Sequence, residues 1–257
     1  MRLGLIGFGA IGSALLPMLE RIGAAPVATL VRIERVREAP AGVTTLAALL
    51  MARPTLVVEA AGQGAAREYG PTILGAGIPL VLASVGALAD PGVERDLRAA
   101  AEAGGARLIL PSGAAGGLDA LSAMAASGPV EVEYTGTKPP LAWAGTPAEA
   151  AFDLPALKAA TVIFKGTARE AARAYPKNAN VAATLALAGA GFEATRVRLV
   201  ADPAAKGNGH AFTARSGGST LSVTIENAAL PGNAKTSAAT VGSLFRAVRN
   251  EMGPVSL

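Results

Sequence analysis

Up to about residue 113 the sequence alternates short, continuously apolar runs with longer amphipathic stretches, and this alternation limits the possible folds most severely. The apolar runs are RLGLIGF, PVATLVR, PTLVVEAAG, IPLVLASVG and RLILPSG. A strand buried on both faces reads this way, because neither face can carry polar side chains. The stretches between them predict helices. AIGSALLPMLERIG stops at Gly23, and VTTLAALLMAR and GAAREYGPTILGAG follow. GVERDLRAAAEAGG is opened by Asp90 as N-cap and Pro91 at the first helical position. Strands and helices that alternate over short connections form a parallel sheet covered on both faces.

Beyond Ala114 the pattern changes. AAGGLDALSAMAAS predicts a helix, and VEVEYTGTK alternates as a half-exposed strand does. A Pro/Ala-rich connection, KPPLAWAGTPAEAAFDLP, leads to the strand TVIFKG and the helical stretch TAREAARAYPKNANVAATLALAG, with Pro176 marking a break or bend. Three strands follow, TRVRLVADP, HAFTARSG and STLSVTIEN, the last two joined through GGS as a hairpin. The stretch SAATVGSLFRAVRNEM closes the chain as a helix. The expected fold class is therefore α/β: an N-terminal Rossmann-type, doubly wound parallel sheet over 1–113, then a second α/β domain carrying an open mixed sheet with helices on one face.

Gly7, Gly9 and Gly12 form a GxGxxG turn directly after the first strand. The motif alone is weak in a chain with 31 glycines. Its context, closing a strand and opening a helix within a βαβ unit, is what a dinucleotide-binding turn requires. Gly7 permits the tight turn, Gly9 lets a pyrophosphate approach the backbone, and Gly12 lets the helix pack on the strand. Ala10 and Ile11 place their N–H groups at the helix N-terminus, which favours anions. A purely structural turn is the alternative. The second strand ends LVRIER, with Arg32 where an acidic residue would bond the ribose 2′-hydroxyl of NAD. Arginine there accepts a 2′-phosphate, pointing to NADP or to both cofactors; a solvated surface charge is the competing reading. Glu34, two positions late, pulls toward NAD.

Composition removes several classes. There is no cysteine and one histidine, which excludes disulfides, thiolate chemistry and a histidine-cluster zinc site, so no metal is expected. The net charge of +4, from 23 basic and 19 acidic residues without a basic cluster, argues against nucleic acid. The longest uncharged stretch, Tyr69 to Ala89, is interrupted by Pro71, Pro79 and glycines and reads as helix, turn and buried strand, not as a membrane span. A cytoplasmic protein with a small-molecule substrate is expected, with no membrane and no nucleic-acid partner.

His210 is the lone imidazole, in the glycine-rich segment KGNGHAF of the second domain. In a chain without thiols it is the natural proton carrier near neutral pH; a hydrogen-bonded structural histidine is the ordinary alternative. Lys138 in TGTKPP, Lys165 in FKGTAREAA and Lys235 in GNAKTS are candidates for substrate carboxylates, or solvated surface charges. Asp119 supports the first turn of its helix, and Trp143 reads as packing. Asn178 and Asn180, in an otherwise alanine-rich helical stretch, could hold a carboxamide or a ribose.

GFGAIG, PSGAAGGLDAL, YTGTKPP, FKGTAREAARAYPKNANVAATLALAG, ADPAAKGNGH and NAALPGNAKTS together resemble the L-aspartate dehydrogenase family over nearly the whole chain. The resemblance implies a dinucleotide-binding domain, a substrate and dimerisation domain over 114–235, and a C-terminal helix over 236–257 that returns to the first domain. It implies a homodimer catalysing NAD- or NADP-dependent oxidative deamination of L-aspartate to iminosuccinate. That product hydrolyses to oxaloacetate and ammonia or feeds quinolinate synthesis in NAD biosynthesis. It assigns His210 as acid/base and Ala114 and Asn180 as cofactor contacts. The PGNAKTS segment departs from the family, which more often has proline before the lysine, and this puts the role of Lys235 in doubt. Two other readings stand beside it: another imine or semialdehyde reductase of the same layout, and a non-catalytic dinucleotide-binding protein that would keep the glycines without needing His210. A dihydrodipicolinate reductase-like chain would show paired histidines, and this one has a single histidine.

Overall fold

The structure, a computed structural model, describes residues 1–176, 178–230 and 233–256, with the backbone alone at 229–230 and 233–236. The chain divides into two compact units, Met1–Pro111 with Thr240–Leu257, and Ser112–Ala239.

The first unit is built on a six-stranded sheet in the order β3-β2-β1-β4-β5-β6. Its strands are β1 (Leu3–Ile6), β2 (Pro26–Leu30), β3 (Gly42–Val43), β4 (Leu56–Glu59), β5 (Leu80–Leu82) and β6 (Leu108–Ile109). All pair in parallel. This is the doubly wound order, with the strand direction of travel reversing beside β1. Every residue of β1, β4 and β5 is buried, which is why these runs carry no alternation. Helices α1 (Ala10–Arg21), α2 (Leu46–Met51), α3 (Gln63–Gly75) and α4 (Pro91–Gly104) connect them. Asp90 caps α4 as expected, accepting the N–H groups of Gly92 at 2.9 Å and Val93 at 3.4 Å. The two-residue β3 lies between Ala39 and α2, where the sequence reading has no strand: Val43 opens no helix, because Thr45 caps α2 by accepting the N–H of Ala48.

The second unit carries a five-stranded sheet in the order β11-β10-β7-β9-β8. Its strands are β7 (Glu131–Lys138), β8 (Thr161–Thr167), β9 (Arg196–Ala201), β10 (Asn208–Ser216) and β11 (Ser219–Asn227). The pair β7/β9 is parallel and the others are antiparallel, so the sheet is mixed. Gly217 and Gly218, with φ of 51° and 87°, make the two-residue turn of the β10–β11 hairpin. One face bears Val132, Tyr134, Val197, Leu199, Phe212 and Ala214, all buried, and is packed by α5 (Leu118–Ser127), α7 (Ala168–Ala174) and α8 (Asn180–Ala188). The stretch from 167 to 189 is therefore two helices, not one. Pro176 lacks an N–H and disfavours helical geometry at Tyr175, which leaves the helix at φ −128°, ψ 57°. The expected connection after β7 contains a short helix, α6 (Pro147–Ala151), and it buries Trp143 completely. A short ribbon, β12 (Ala229–Leu230) with β13 (Asn233–Ser237), leads to α9 (Ala238–Asn250). Val241, Leu244, Ala247 and Val248 form the buried stripe of α9, and Glu251 just beyond it pairs with Arg107 of the first unit. No helix among the described residues is long and apolar enough to cross a membrane.

Candidate active site

Two sets of groups with chemical potential stand out, one in each unit. In the first unit the important atoms belong to the backbone. β1 ends at Ile6, and Gly7 turns the chain with φ +90°. A Cβ on Gly7 would stand 2.8 Å from the Cα of Ala61, and one on Gly12 would stand 2.5 Å from the carbonyl oxygen of Gly7. Both glycines are needed for close packing. Around a Cβ on Gly9 there is open space within 4 Å, so Gly9 is bare toward the exterior and packing does not require it. Ala10 and Ile11 begin α1 at this point.

The turn lines a cleft of about 530 Å³, with Val31, Arg32, Arg35, Thr44, Ala60, Ala61 and Tyr69 among its walls. Arg35 donates to the carbonyl of Phe8 at 3.0 Å and so ties the end of β2 to the glycine turn. Arg32 is exposed at the rim and pairs with Glu34 at 3.1 Å. On the far side of the turn, Glu59 closes β4 wholly buried. Its carboxylate accepts the N–H groups of Ala61 and Gly62, both at 2.7 Å, and the N–H and hydroxyl of Ser84 at 3.0 and 3.1 Å. Burial pushes its pKa up from the usual carboxylate value, against the pull of these four bonds. The bare glycine, the helix start and the open cleft fit a dinucleotide's phosphates.

In the second unit the important atoms are side chains. Period-two alternation puts Tyr134, Gly136 and Lys138 on the helix-covered face of β7. Asn208, His210 and Phe212 occupy the same face of β10, where His210 stands opposite Gly136 and Asn208 comes level with Lys138. The Nδ1 of His210 and the hydroxyl of Tyr134 are 2.8 Å apart. Lys138 Nζ donates to Asn178 Oδ1 at 3.1 Å and lies 5.7 Å from the centre of the Trp143 ring. Trp143 is fixed in turn by donating its indole N–H to the carbonyl of Val200 at 3.2 Å. All these polar side chains are under 7% exposed: Tyr134 2%, Lys138 3%, Asn178 6%, Asn208 1% and His210 6%.

Burial, and then the charge of Lys138, push the His210 pKa down to about 4, so the ring is a neutral base at pH 7. Asn178 Nδ2 and both side-chain polar atoms of Asn208 are buried without a hydrogen-bond partner among the described residues. Such groups cost about 1–3 kcal/mol each unless something bonds them. An ammonium and amide N–H donors on one buried face are the groups that a carboxylate seeks.

Residues 119–251 match the family described as aspartate dehydrogenase, C-terminal, and residues 7–111 match the NAD-binding domain of homoserine dehydrogenase. The chain is 46% identical to an L-aspartate dehydrogenase of Cupriavidus necator over 100% of both sequences. It is 44% identical to one from Pseudomonas aeruginosa over 98% of each. The crystal structure of aspartate dehydrogenase from Thermotoga maritima superposes with a TM-score of 0.78 at 30% identity, covering 100% of this chain and 99% of that one. The chain belongs to the aspartate dehydrogenase family. A homoserine dehydrogenase from a hyperthermophilic archaeon, at 11% identity and a TM-score of 0.60, shares the fold alone.

Among the residues singled out from the sequence, the second unit brings His210 and Lys138 onto one face and sets Asn178 beside Lys138. Ala114 is buried in the turn before α5, its carbonyl accepting from Asn227 Nδ2 at 3.1 Å. Asn180 begins α8. Lys165 is not on the face that carries His210 and Lys138. It is exposed, and the β8–β9 register seats it beside Arg198, on the face away from the helices. The side chain of Lys235 lies outside the described residues. No cluster of metal-ligating side chains occurs among the described residues. The sequence reading passed over Tyr134, Asn208 and Glu59. For Tyr134 a signal was available: a glycine inside an alternating strand marks a close approach, and Gly136 is that glycine.

Proposed function

We propose that this protein catalyses the NAD- or NADP-dependent oxidative deamination of L-aspartate to iminosuccinate, which water converts to oxaloacetate and ammonium, or the reverse reductive amination. The observation that carries this reading, in a chain of this family, is the buried face that sets the neutral His210 imidazole together with the Lys138–Asn178 pair. The cofactor's nicotinamide supplies the acceptor for the hydride that leaves Cα of the substrate. The chain's own groups do the rest. Gly9, Ala10 and Ile11 offer backbone to the pyrophosphate, and Arg32 stands where a 2′-phosphate or a ribose would be read. We assign Ala114 and Asn180 to further cofactor contacts. Lys138 and the amides of Asn178 and Asn208 take the substrate carboxylates, and burial strengthens those contacts.

His210 takes a proton from the α-ammonium group, so that the nitrogen lone pair can form the imine as hydride departs. Once that proton has passed to solvent, the same ring removes a proton from the water that attacks the imine carbon. A ring held near pKa 4 stays unprotonated until it receives this proton, and readily gives it up again. The same family membership supports a homodimer, which light scattering in solution would read.

The test is to mix purified protein with L-aspartate and NAD or NADP and to follow reduced nicotinamide by absorbance, with glutamate, alanine and homoserine as controls. Reduction with aspartate alone is the expected result. No turnover in either direction, with oxaloacetate and ammonia in reverse, rejects the reading. His210→Ala is expected to lower kcat by about 10²–10⁴-fold while dinucleotide binding holds.

A further inference from the structure

The assigned base does not stand alone. His210 bonds through Nδ1 to the hydroxyl of Tyr134, and the two rings are almost parallel, at 13°. The contact is diagonal across the strand pair, because Tyr134 is opposite Phe212 and His210 is opposite Gly136. For the phenol to reach the imidazole it must pass over position 136. A Cβ there would stand 2.6 Å from the Tyr134 hydroxyl and 3.2 Å from its ring carbon Cζ. Gly136 has an unremarkable φ, so neither a turn nor a left-handed backbone calls for glycine at this site. The space over it is used by the hydroxyl.

We propose that Tyr134 is a positioning residue for His210, its hydroxyl admitted by the bare backbone of Gly136 and holding the Nδ1 edge of the imidazole so that Nε2 meets the substrate. The proposal rests on the reading of His210 as the proton carrier and adds what orients it. A phenol can donate or accept, and the positioning role calls for the tautomer in which its oxygen accepts. With Nδ1–H donating to the phenol oxygen, the lone pair is on Nε2, and the ring can take a proton there without turning. When it does so, the Nδ1–H···O bond is charge-assisted and stronger.

A tyrosine in this place does something that an aspartate would not. Full burial pushes the phenol's pKa well above its usual range, so it remains a neutral hydroxyl throughout the working pH. A carboxylate partner would stabilise the imidazolium by charge and raise the ring's pKa. The phenol fixes the direction of the ring while leaving it a weak base, in keeping with the Lys138 charge that also opposes protonation. Other groups facing the ring on this buried face are Asn208 on its own strand and Lys138 on β7, neither of which is acidic. The arrangement suits a base that must return its proton in each cycle.

The experiment is a cycle of Tyr134→Phe, Gly136→Ala and the double variant, with His210→Ala as reference, each assayed as full-length protein for kcat, KM, the pH profile of kcat/KM, dinucleotide binding and thermal melting. Tyr134→Phe is expected to bind dinucleotide normally and to lose about tenfold or more in kcat with little change in KM. The acid limb of its profile should move to lower pH, since the imidazolium loses its acceptor. Gly136→Ala, which keeps the phenol but displaces it, should show the same loss. The double variant should be no worse than Tyr134→Phe, because both changes break one bond. A Tyr134→Phe enzyme with wild-type kcat and an unmoved acid limb overturns the proposal. So does additivity of the two losses, which would make Gly136→Ala a separate packing defect. Should the phenylalanine variant melt below the assay temperature, the acid limb of Gly136→Ala decides alone: unmoved, it overturns the proposal. The reference separates the two levels: His210→Ala with wild-type turnover defeats the proton-carrier reading itself, whereas an inactive His210→Ala beside an unaffected Tyr134→Phe defeats the positioning role only.

Discussion

The two units hold their chemistry in opposite ways. The first presents backbone: a glycine turn, a helix start and a cleft, with its charged side chains Arg32 and Glu34 exposed at the rim. The second presents side chains, all buried, drawn from positions far apart along the sequence, as Tyr134 and His210 on two strands and Asn178 before α8 are. Backbone recognition costs little stability, because N–H groups at a helix start are unpaired by geometry. Buried polar side chains are expensive, because each gives up water. The second unit should therefore be the one whose stability responds to the state of its functional groups, and the first the one where binding can be altered without disturbing the fold.

The largest expected effect is on acid stability. His210 titrates near 6.5 when unfolded and near 4 when folded. The folded pKa is depressed, so the stability it brings is complete above pH 6.5 and is lost as pH falls from there toward 4. Two and a half units correspond to about 3 kcal/mol at the acid end. His210→Gln removes this titration, and denaturant melts at pH 7 and pH 4 should show a smaller loss for the variant than for the parent. Equal losses would mean that His210 is hydrated in the folded state, and the contrast between the units would fail on its main point.

Glu59 is the exception that sharpens the contrast, since it is a wholly buried side chain in the backbone-presenting unit. It does not line the cleft. It accepts three N–H groups and one hydroxyl, and so fixes the segment after β4 against Ser84 after β5. Glu59→Gln keeps the shape but turns an NH₂ toward one of these donors. It is expected to cost about 1–3 kcal/mol in urea unfolding and to loosen dinucleotide binding through Ala61, which lines the cleft. Loss of stability without any change in binding would make Glu59 a core device only.

The glycines divide the same way. Gly9→Ala meets open space and should leave the melting temperature close to the parent's, while weakening dinucleotide binding about tenfold, or about 1.4 kcal/mol, by filling the approach to the phosphates. Gly7→Ala meets the backbone of Ala61 at a φ of +90° and should destabilise the fold before binding can be measured. Equal destabilisation by both would show that Gly9 serves packing as well.

The contrast also explains what could be read from the sequence. A backbone site is local, so Gly7, Gly9 and Gly12 announce it within six residues, as Asp90 announces α4 and Pro176 the break before α8. A side-chain site depends on register. Lys138 and Lys165 are alike as letters, yet the strand pairing buries one beside Asn178 and leaves the other exposed beside Arg198. The irregularity between Val162 and Phe164 in β8 defeats simple alternation on the edge strand. Tyr134 looked like one more inward residue of an alternating strand until the pairing of β7 with β10 set it against His210. Asn208 is a loop letter in KGNGH and becomes the first residue of β10 only through its cross-strand partners.

The smallest effect tests whether the rim of the first unit reads its ligand by side chain at all. Arg32 pairs with Glu34 in water, its side chain 81% exposed, and such a pair contributes little to stability. Arg32→Ala should leave unfolding unchanged within about 0.5 kcal/mol. Its consequence is for cofactor choice. If the guanidinium reads a 2′-phosphate, the variant loses affinity for NADPH and keeps that for NADH, and the NADPH loss shrinks as salt rises, because the contact is exposed and screened. Titration of both reduced cofactors by fluorescence, at low and at physiological ionic strength, measures this. Equal affinities before and after would make Arg32 a solvated charge held by Glu34, and cofactor choice would then rest with the remaining cleft residues, of which Arg35 is already committed to the carbonyl of Phe8.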